Sequence, residues 1–311
     1  MTGAKAEIAR LVTDLESLVS GEEACARLIC LGQEAVEPLL RFLLEGKPSG
    51  VFQPRMWAVQ ALAGLGAREA LIEYLDRDRP IADPQVRLGE EAVQSEAARA
   101  LAAWPTEDVY RFLIEQSGRR LLIGLIEALA EFRRPESVPV LERALEDDYY
   151  RPAAEKALEK MGSGIRESLV SAAVSPRPDA ANEAPSSLRR RRAVLALLGK
   201  MGSEPSSWPA LSGLLEDGDE EVFVAAAKMG AAFAGPAERA AMVERLLKLL
   251  TEAPWYLRED IVGLLTVLKA EAEPAIDEEI GRRTAQPESL RAVDKRLWAL
   301  QKVKRKMSDL G

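Results

Sequence analysis

Apolar residues recur along this chain at spacings of three and four. In the segment from Gln53 to Gly66, Ala58, Ala61, Leu62 and Leu65 occupy positions i, i+3, i+4 and i+7. That is one stripe of an α-helix. Ala154, Ala157, Leu158 and Met161 repeat the stripe, and both segments read Arg-x-x-Ala-x-x-Ala-Leu-x-x-apolar-Gly. A third copy contains Arg191, Val194, Leu197, Leu198, Met201 and Gly202. A fourth contains Arg258, Ile261, Leu264, Leu265 and Leu268. Weaker copies begin at Gly21, Gln94, Leu122, Phe223 and Arg291. No segment alternates apolar and polar residues with period two, so no strand is expected.

The columns of the repeat differ in size. Ala24, Ala58, Ala97, Ala154 and Ala226 are small enough for a neighbouring helix to come close, whereas Leu28, Leu62, Leu101, Leu158 and Leu198 fill the layer between helices. The fourth column (Leu31, Leu65, Trp104, Phe132, Met161 and Met201) is also large. Gly32, Gly66, Gly162 and Gly202 follow the last turn, where glycine accepts the left-handed conformation that ends a helix. Between these helices lies a shorter set with proline in its first turns, at Pro38, Pro139, Pro209 and Pro274. Proline is tolerated there because those N–H groups have no partner within the helix.

A helix with an early proline, a tight polar turn such as Glu146-Asp147-Asp148, then an Arg-x-x-Ala helix ending in glycine resembles the HEAT repeat, of the kind also found in phycobilin lyases. The resemblance covers essentially the whole chain. It implies an all-α fold: an armadillo-like α-α superhelix, a right-handed solenoid of about nine antiparallel helix pairs, read as one domain over residues 1–311. It also implies a scaffold in most cases. In the family, the repeated arginine usually pairs with an aspartate in the preceding turn. Arg151 has Asp147 and Asp148 near by, but Arg55 and Arg191 have no adjacent turn acid. Three turns are enlarged, at about 46–53, 78–89 and 175–187. Long turns are often functional or without fixed structure, and the Pro/Ala/Ser composition of 175–187 points to disorder there.

Composition narrows the chemistry. Of 311 residues, 47% are hydrophobic but only 5% aromatic, which suits thin helical layers. The net charge of −8 argues against bulk capture of nucleic acid, although basic residues are dense at Arg189–Arg192 and Lys295–Lys306. Cys25 and Cys30 lie five apart on one helix and point to different faces. As two buried thiols they suggest a reducing compartment. With no apolar leader and no membrane-spanning run, a cytoplasmic location is expected. The chain has no histidine, which removes Ser-His and Cys-His nucleophiles and histidine metal ligands. Asp217-Gly-Asp219-Glu-Glu221 lacks the glycine and the last carboxylate of a calcium loop and reads as a turn capping the next helix. No catalytic residue, metal or cofactor is expected.

The remaining candidates are aromatics and arginines at the starts of the second helices: Phe52, Arg55 and Trp57; Tyr149, Tyr150 and Arg151; Arg191; and Trp255, Tyr256 and Arg258. Such residues are enriched at interface hot spots. Their equivalent positions suggest one partner-binding edge of Arg55, Trp57, Tyr150, Arg151, Arg191, Trp255, Tyr256 and Arg258, with Arg55 and Arg191 free for a carboxylate or phosphate. In the competing reading the rings pack loops and the arginines tie turns down. The function expected is a non-enzymatic scaffold for a protein or peptide partner on the concave, second-helix surface. The alternative is nucleic-acid binding through the local basic patches, or a HEAT-like alkylpurine DNA glycosylase. A bilin lyase is suggested only by repeat similarity.

Overall fold

In a computed structural model that describes residues 2–179 and 182–309, the chain forms helix pairs in two compact units, Met1–Gly162 and Ser163–Gly311. In unit 1, α1 (Thr2–Asp14) pairs with α2 (Gly21–Leu31), α3 (Val36–Glu45) with α4 (Gln53–Gly64), and α5 (Arg68–Asp76) with α6 (Pro84–Leu101). The pairs α7 (Glu107–Arg119) with α8 (Ile123–Phe132) and α9 (Val138–Ala144) with α10 (Arg151–Met161) complete it. In unit 2, α11 (Arg166–Ala173) pairs with α12 (Pro185–Lys200), α13 (Trp208–Leu211) with α14 (Glu220–Gly230), and α15 (Pro236–Glu252) with α16 (Trp255–Val267). Finally α17 (Lys269–Thr284) pairs with α19 (Lys295–Asp309), with the single turn α18 (Glu288–Arg291) between them. The described residues thus hold nine pairs, the number expected.

Second helices pack on second helices: α2, α4, α6, α8 and α10 in one unit, and α12, α14, α16 and α19 in the other. The small and large columns do what their sizes suggest. Ala58, Leu62, Ala154, Leu158, Leu198 and Leu265 are fully buried, with Leu65 and Met161 nearly so. Gly32, Gly66, Gly162 and Gly202 have φ of 78°, 69°, 73° and 86°, positive as read from the sequence, but at Gly32 and Gly162 ψ is −156° and −157°, an extended conformation open to glycine and not the left-handed helical one. Asp219 caps α14 by accepting the Val222 amide, so the acidic run is the expected helix cap.

Four local expectations need correction. Residues 84–89 are not loop. Asp83 accepts the Gln85 and Val86 amides and starts α6 at Pro84, so that turn is shorter than expected. In the 175–187 turn, β1 (Pro178–Asp179) and β2 (Asn182–Glu183) form a two-residue antiparallel pair, a small departure from a strandless chain. In the same turn the Ala184 amide donates to the Arg177 carbonyl, and the Arg177 amide to Ser187 Oγ. Residues 180 and 181 of the same turn lie outside the described residues. Pro274 sits inside α17 instead of opening it. Cys25 is buried and donates to the Trp57 carbonyl, but Cys30 is exposed, so only one thiol is in the core.

Close packing of second helices depends on one glycine the repeat did not single out. A Cβ on Gly124 would lie 1.9 Å from the Ser95 carbonyl oxygen and 2.4 Å from its α-carbon, so α8 can meet α6 only without a side chain there. Gly124→Ala is expected to destabilise the protein by about 1–3 kcal/mol through overpacking. Gly199→Ala, where a Cβ meets nothing within 4 Å, is expected to stabilise by up to about 1 kcal/mol. Chemical denaturation of both variants checks this, and equal shifts in midpoint would contradict it.

Candidate functional site

Arg55 extends from the first turn of α4 into the interior and is only 4% exposed. Its Nε and Nη2 each lie 2.8 Å from Glu90 of α6, a bidentate pair with a carboxylate that is itself 3% exposed. Nη2 also donates to the Leu43 carbonyl at 2.9 Å, and Nη1 reaches the Phe42 and Gly46 carbonyls. These carbonyls end α3, where a helix leaves acceptors unsatisfied. The Tyr74 hydroxyl donates to the same Glu90 at 2.8 Å. Burial and the Glu90 charge push that phenol far above its usual range.

Arg191 is built the same way. Only 2% exposed, it donates to the Ala173 carbonyl at the end of α11 and pairs with Glu183 and Asp217. Arg258 is exposed but also turns back, to the Thr251 and Ala253 carbonyls at the end of α15. Arg151 pairs with Asp148 at 2.7 Å. The expectation that Arg55 and Arg191 offer free guanidinium groups to a partner is therefore overturned. Both bracket the first helix of their own pair to the second, and neither is accessible. Glu90 lies 35 residues after Arg55 and Asp217 26 after Arg191, whereas Glu183 comes from the turn just before α12, eight residues before Arg191.

The aromatics separate into two groups. Trp57 does not reach the edge. Its ring lies where a Cβ on Gly21 would be, 2.0 Å from that position, and it is buried against α2. Trp255 is 80% exposed and Tyr256 48%, their rings edge-to-face at 6.1 Å. Tyr149 is 60% exposed and Tyr150 half-buried, also edge-to-face, at 5.0 Å. Each exposed couple thus stands at the start of a second helix, one in each unit. The Tyr256 hydroxyl donates to Glu221 at 2.9 Å, which pushes it above the ordinary phenol range. Glu221 also pairs with Arg192, and Arg192 pairs with Asp219. Burial works against the charged form of Asp219, yet Arg192 and the Val222 amide hold its carboxyl below the usual range.

Beside each couple the second helices form a groove. In unit 1 a pocket of about 150 Å³ lies among Met56, Leu88, Ala92, Ile123, Tyr149 and Tyr150. It shares Arg99 with a larger groove of about 460 Å³, floored by Ala102 of the turn after α6, Ala130 of α8, and Ala153 and Ala157 of α10. Arg99 pairs across the helices with Glu127, and Lys160 with Glu131. In unit 2 a groove of about 620 Å³ lies over Leu195, Ala196, Gly199, Val224 and Ala225, with Arg192, Lys228 and Asp260 around it. Lys228 and Asp260 pair at 2.8 Å. The sequence reading missed these grooves. Their signal is a set of small residues on the solvent side of consecutive second helices.

The basic runs are largely neutralised. Arg190 and Arg191 are buried, as their position one turn before Val194 suggests. On α19, Lys302 pairs with Glu259, Lys304 with Glu273 and Asp277, and Arg296 with Glu279. Among the described residues, no helix is long and apolar enough to cross a membrane.

Stacked pairs, proline-started first helices and glycine-ended second helices together define the architecture. The repeats are HEAT- and armadillo-like. No family model and no curated protein sequence matches the chain. Similar solved structures include human deoxyhypusine hydroxylase in complex with glycerol, at 16% identity over 88% of this chain and 96% of that one, with a TM-score of 0.30. The complex of CpcE and CpcF of phycocyanin lyase from Nostoc sp. matches at 18% identity over 84% of this chain and 93% of that one, with a TM-score of 0.34. A computationally designed armadillo repeat protein for modular peptide recognition matches at 17% identity over 84% and 99%, with a TM-score of 0.26. Likeness at this level concerns the helical repeat and carries nothing about activity.

Proposed function

We propose that the chain is a non-enzymatic scaffold that binds a protein or peptide partner on the second-helix face of each unit. The observation that carries this reading is the repetition of one arrangement. A groove with small residues in its floor and paired charges around it lies beside an exposed aromatic couple, Tyr149–Tyr150 in unit 1 and Trp255–Tyr256 in unit 2. Rigid aromatic rings supply contact area with little loss of side-chain entropy, and partnered charges around a groove can accept or donate further hydrogen bonds. Of the residues expected at the edge, Tyr150, Trp255 and Tyr256 stay in this proposal. Arg55, Trp57 and Arg191 leave it, because each is fully engaged inside the fold.

A photo-crosslinking amino acid tests it in the native cell. Placed at Tyr149 or Trp255, it is expected to give discrete protein adducts. Placed at Glu37 of α3 or Lys248 of α15, both exposed on first helices, it is expected to give none. Adducts from all four positions, or from the first-helix positions alone, would contradict the proposal.

A further inference from the structure

The pocket beside Tyr149 and Tyr150 carries hydrogen-bonding groups that the fold leaves unused. Ser95 of α6 lines it and is only 6% exposed, yet its hydroxyl makes no hydrogen bond among the described residues. Glu91 lines it one turn earlier on the same face of α6. Among the described residues its carboxylate has a single ion pair, with Arg87 at 3.8 Å, too long for a hydrogen bond. The phenols of Tyr149 and Tyr150 likewise have no hydrogen-bond partner among the described residues. Burial first, and then the nearby Glu91 carboxylate, raise the Tyr150 phenol above its ordinary range. Arg99 also lines the pocket, but Glu96 and Glu127 both hold it, so those three side chains together are negative. A negative pocket with free acceptors and two aromatic rings in its wall suits a cation that donates several hydrogen bonds.

Unit 2 has such a cation of its own. Arg192 of α12 pairs with Asp219 and Glu221 and lies beside the Tyr256 phenol, which donates to the same Glu221. Ser95 holds the repeat position of Arg192, since each lies six residues before the leucine of the large column, Leu101 or Leu198. Where unit 2 sets an arginine against its aromatic couple, unit 1 has a small side chain and a pocket of about 150 Å³. A cavity of roughly that volume takes a benzene ring, so a planar guanidinium fits it and a folded surface does not.

We infer that this pocket receives a guanidinium group, presented by an arginine of the protein partner. The inference rests on the scaffold reading and names the chemistry of its partner at this one place. The guanidinium lies against the tyrosine rings and donates to the Glu91 carboxylate and the Ser95 hydroxyl. Arginine suits the pocket better than lysine, because its planar, weakly hydrated fork stacks on aromatic faces and reaches two acceptors at once.

Phage-displayed random decapeptides selected on the immobilised full chain test this. The enriched sequences are expected to share an arginine at one aligned position. A fluorescein-labelled peptide from the leading clone is followed by anisotropy. Changing its arginine to citrulline, which keeps the shape and removes the charge, is expected to cost about tenfold in affinity, the worth of one charged hydrogen bond. Glu91→Gln in the chain is expected to cost about tenfold as well. Ser95→Arg, which gives unit 1 the guanidinium that Arg192 gives unit 2, is expected to abolish binding. Unchanged far-UV circular dichroism and melting temperature exclude unfolding as the cause, and Glu91 is partly exposed, so its variant keeps the test open if Ser95→Arg does not fold. Enriched peptides without a shared arginine, or an arginine peptide indifferent to both substitutions, would overturn this inference and leave the scaffold reading in place. Displacement of the peptide by free arginine at micromolar concentration would make a small guanidino compound the ligand and overturn the partner as its source. No enrichment over the bare support would overturn both the inference and the scaffold reading.

Discussion

Arg55→Met is expected to destabilise the protein by about 3–5 kcal/mol, because it leaves the Glu90 carboxylate buried without its cation. Glu90 is 3% exposed, and its other polar partner, Tyr74, supplies a single hydrogen bond. The substitution also removes the donors to the Leu43, Phe42 and Gly46 carbonyls at the end of α3. The double variant Arg55→Met, Glu90→Leu is expected to recover a large part of the loss, since a buried ion pair is often replaceable by apolar groups of similar size. Urea denaturation of the two singles and the double checks this. A cost below about 1 kcal/mol for Arg55→Met would mean that Arg55 does not bracket α3 to α4.

Leu158→Ala is expected to cost about 2–5 kcal/mol. Leu158 is fully buried in the layer where α10 meets α8 and α9, and its loss leaves a cavity there. Repeats contact mainly their neighbours, so faster hydrogen exchange is expected first in α8, α9 and α10. A cost under about 1 kcal/mol, or exchange that rises equally throughout unit 1, would contradict that packing.

What the sequence made legible follows from the range of the interactions involved. The stripes, the positive φ of the four glycines and the cap at Asp219 are decided within one or two turns, and each is found where it was read. The number of helix pairs follows from the same local pattern. The role of the arginines is decided elsewhere. Arg55 and Arg258 hold the same repeat position, but Glu90, 35 residues on, draws Arg55 inward, whereas Arg258 stays at the surface. Trp57 and Trp255 differ in register: Trp255 is the first residue of α16, before Arg258, whereas Trp57 lies one turn into α4, after Arg55, where it packs on Gly21 of α2 and is buried. A single repeat carries no trace of such partners. The grooves were overlooked for a different reason: Ala102, Ala130 and Ala153 look unremarkable one at a time, and become a floor only when consecutive second helices are placed side by side.

Burial of the expected arginines moves the proposed recognition surface from a row of charges to two grooves with aromatic couples. An arginine ridge would have given binding that weakens steeply with salt. Grooves with small-residue floors and partnered charges predict a smaller dependence on ionic strength and a larger one on Tyr149, Tyr150, Trp255 and Tyr256.

Hydrogen exchange of the chain with and without a bound peptide or crosslinked partner tests the central claim most directly. The account predicts protection on binding confined to second helices and their starting turns: α6, α8 and α10, or α12, α14 and α16. Protection confined to the first helices α3, α5, α7 and α9, with the second helices unchanged, would contradict it.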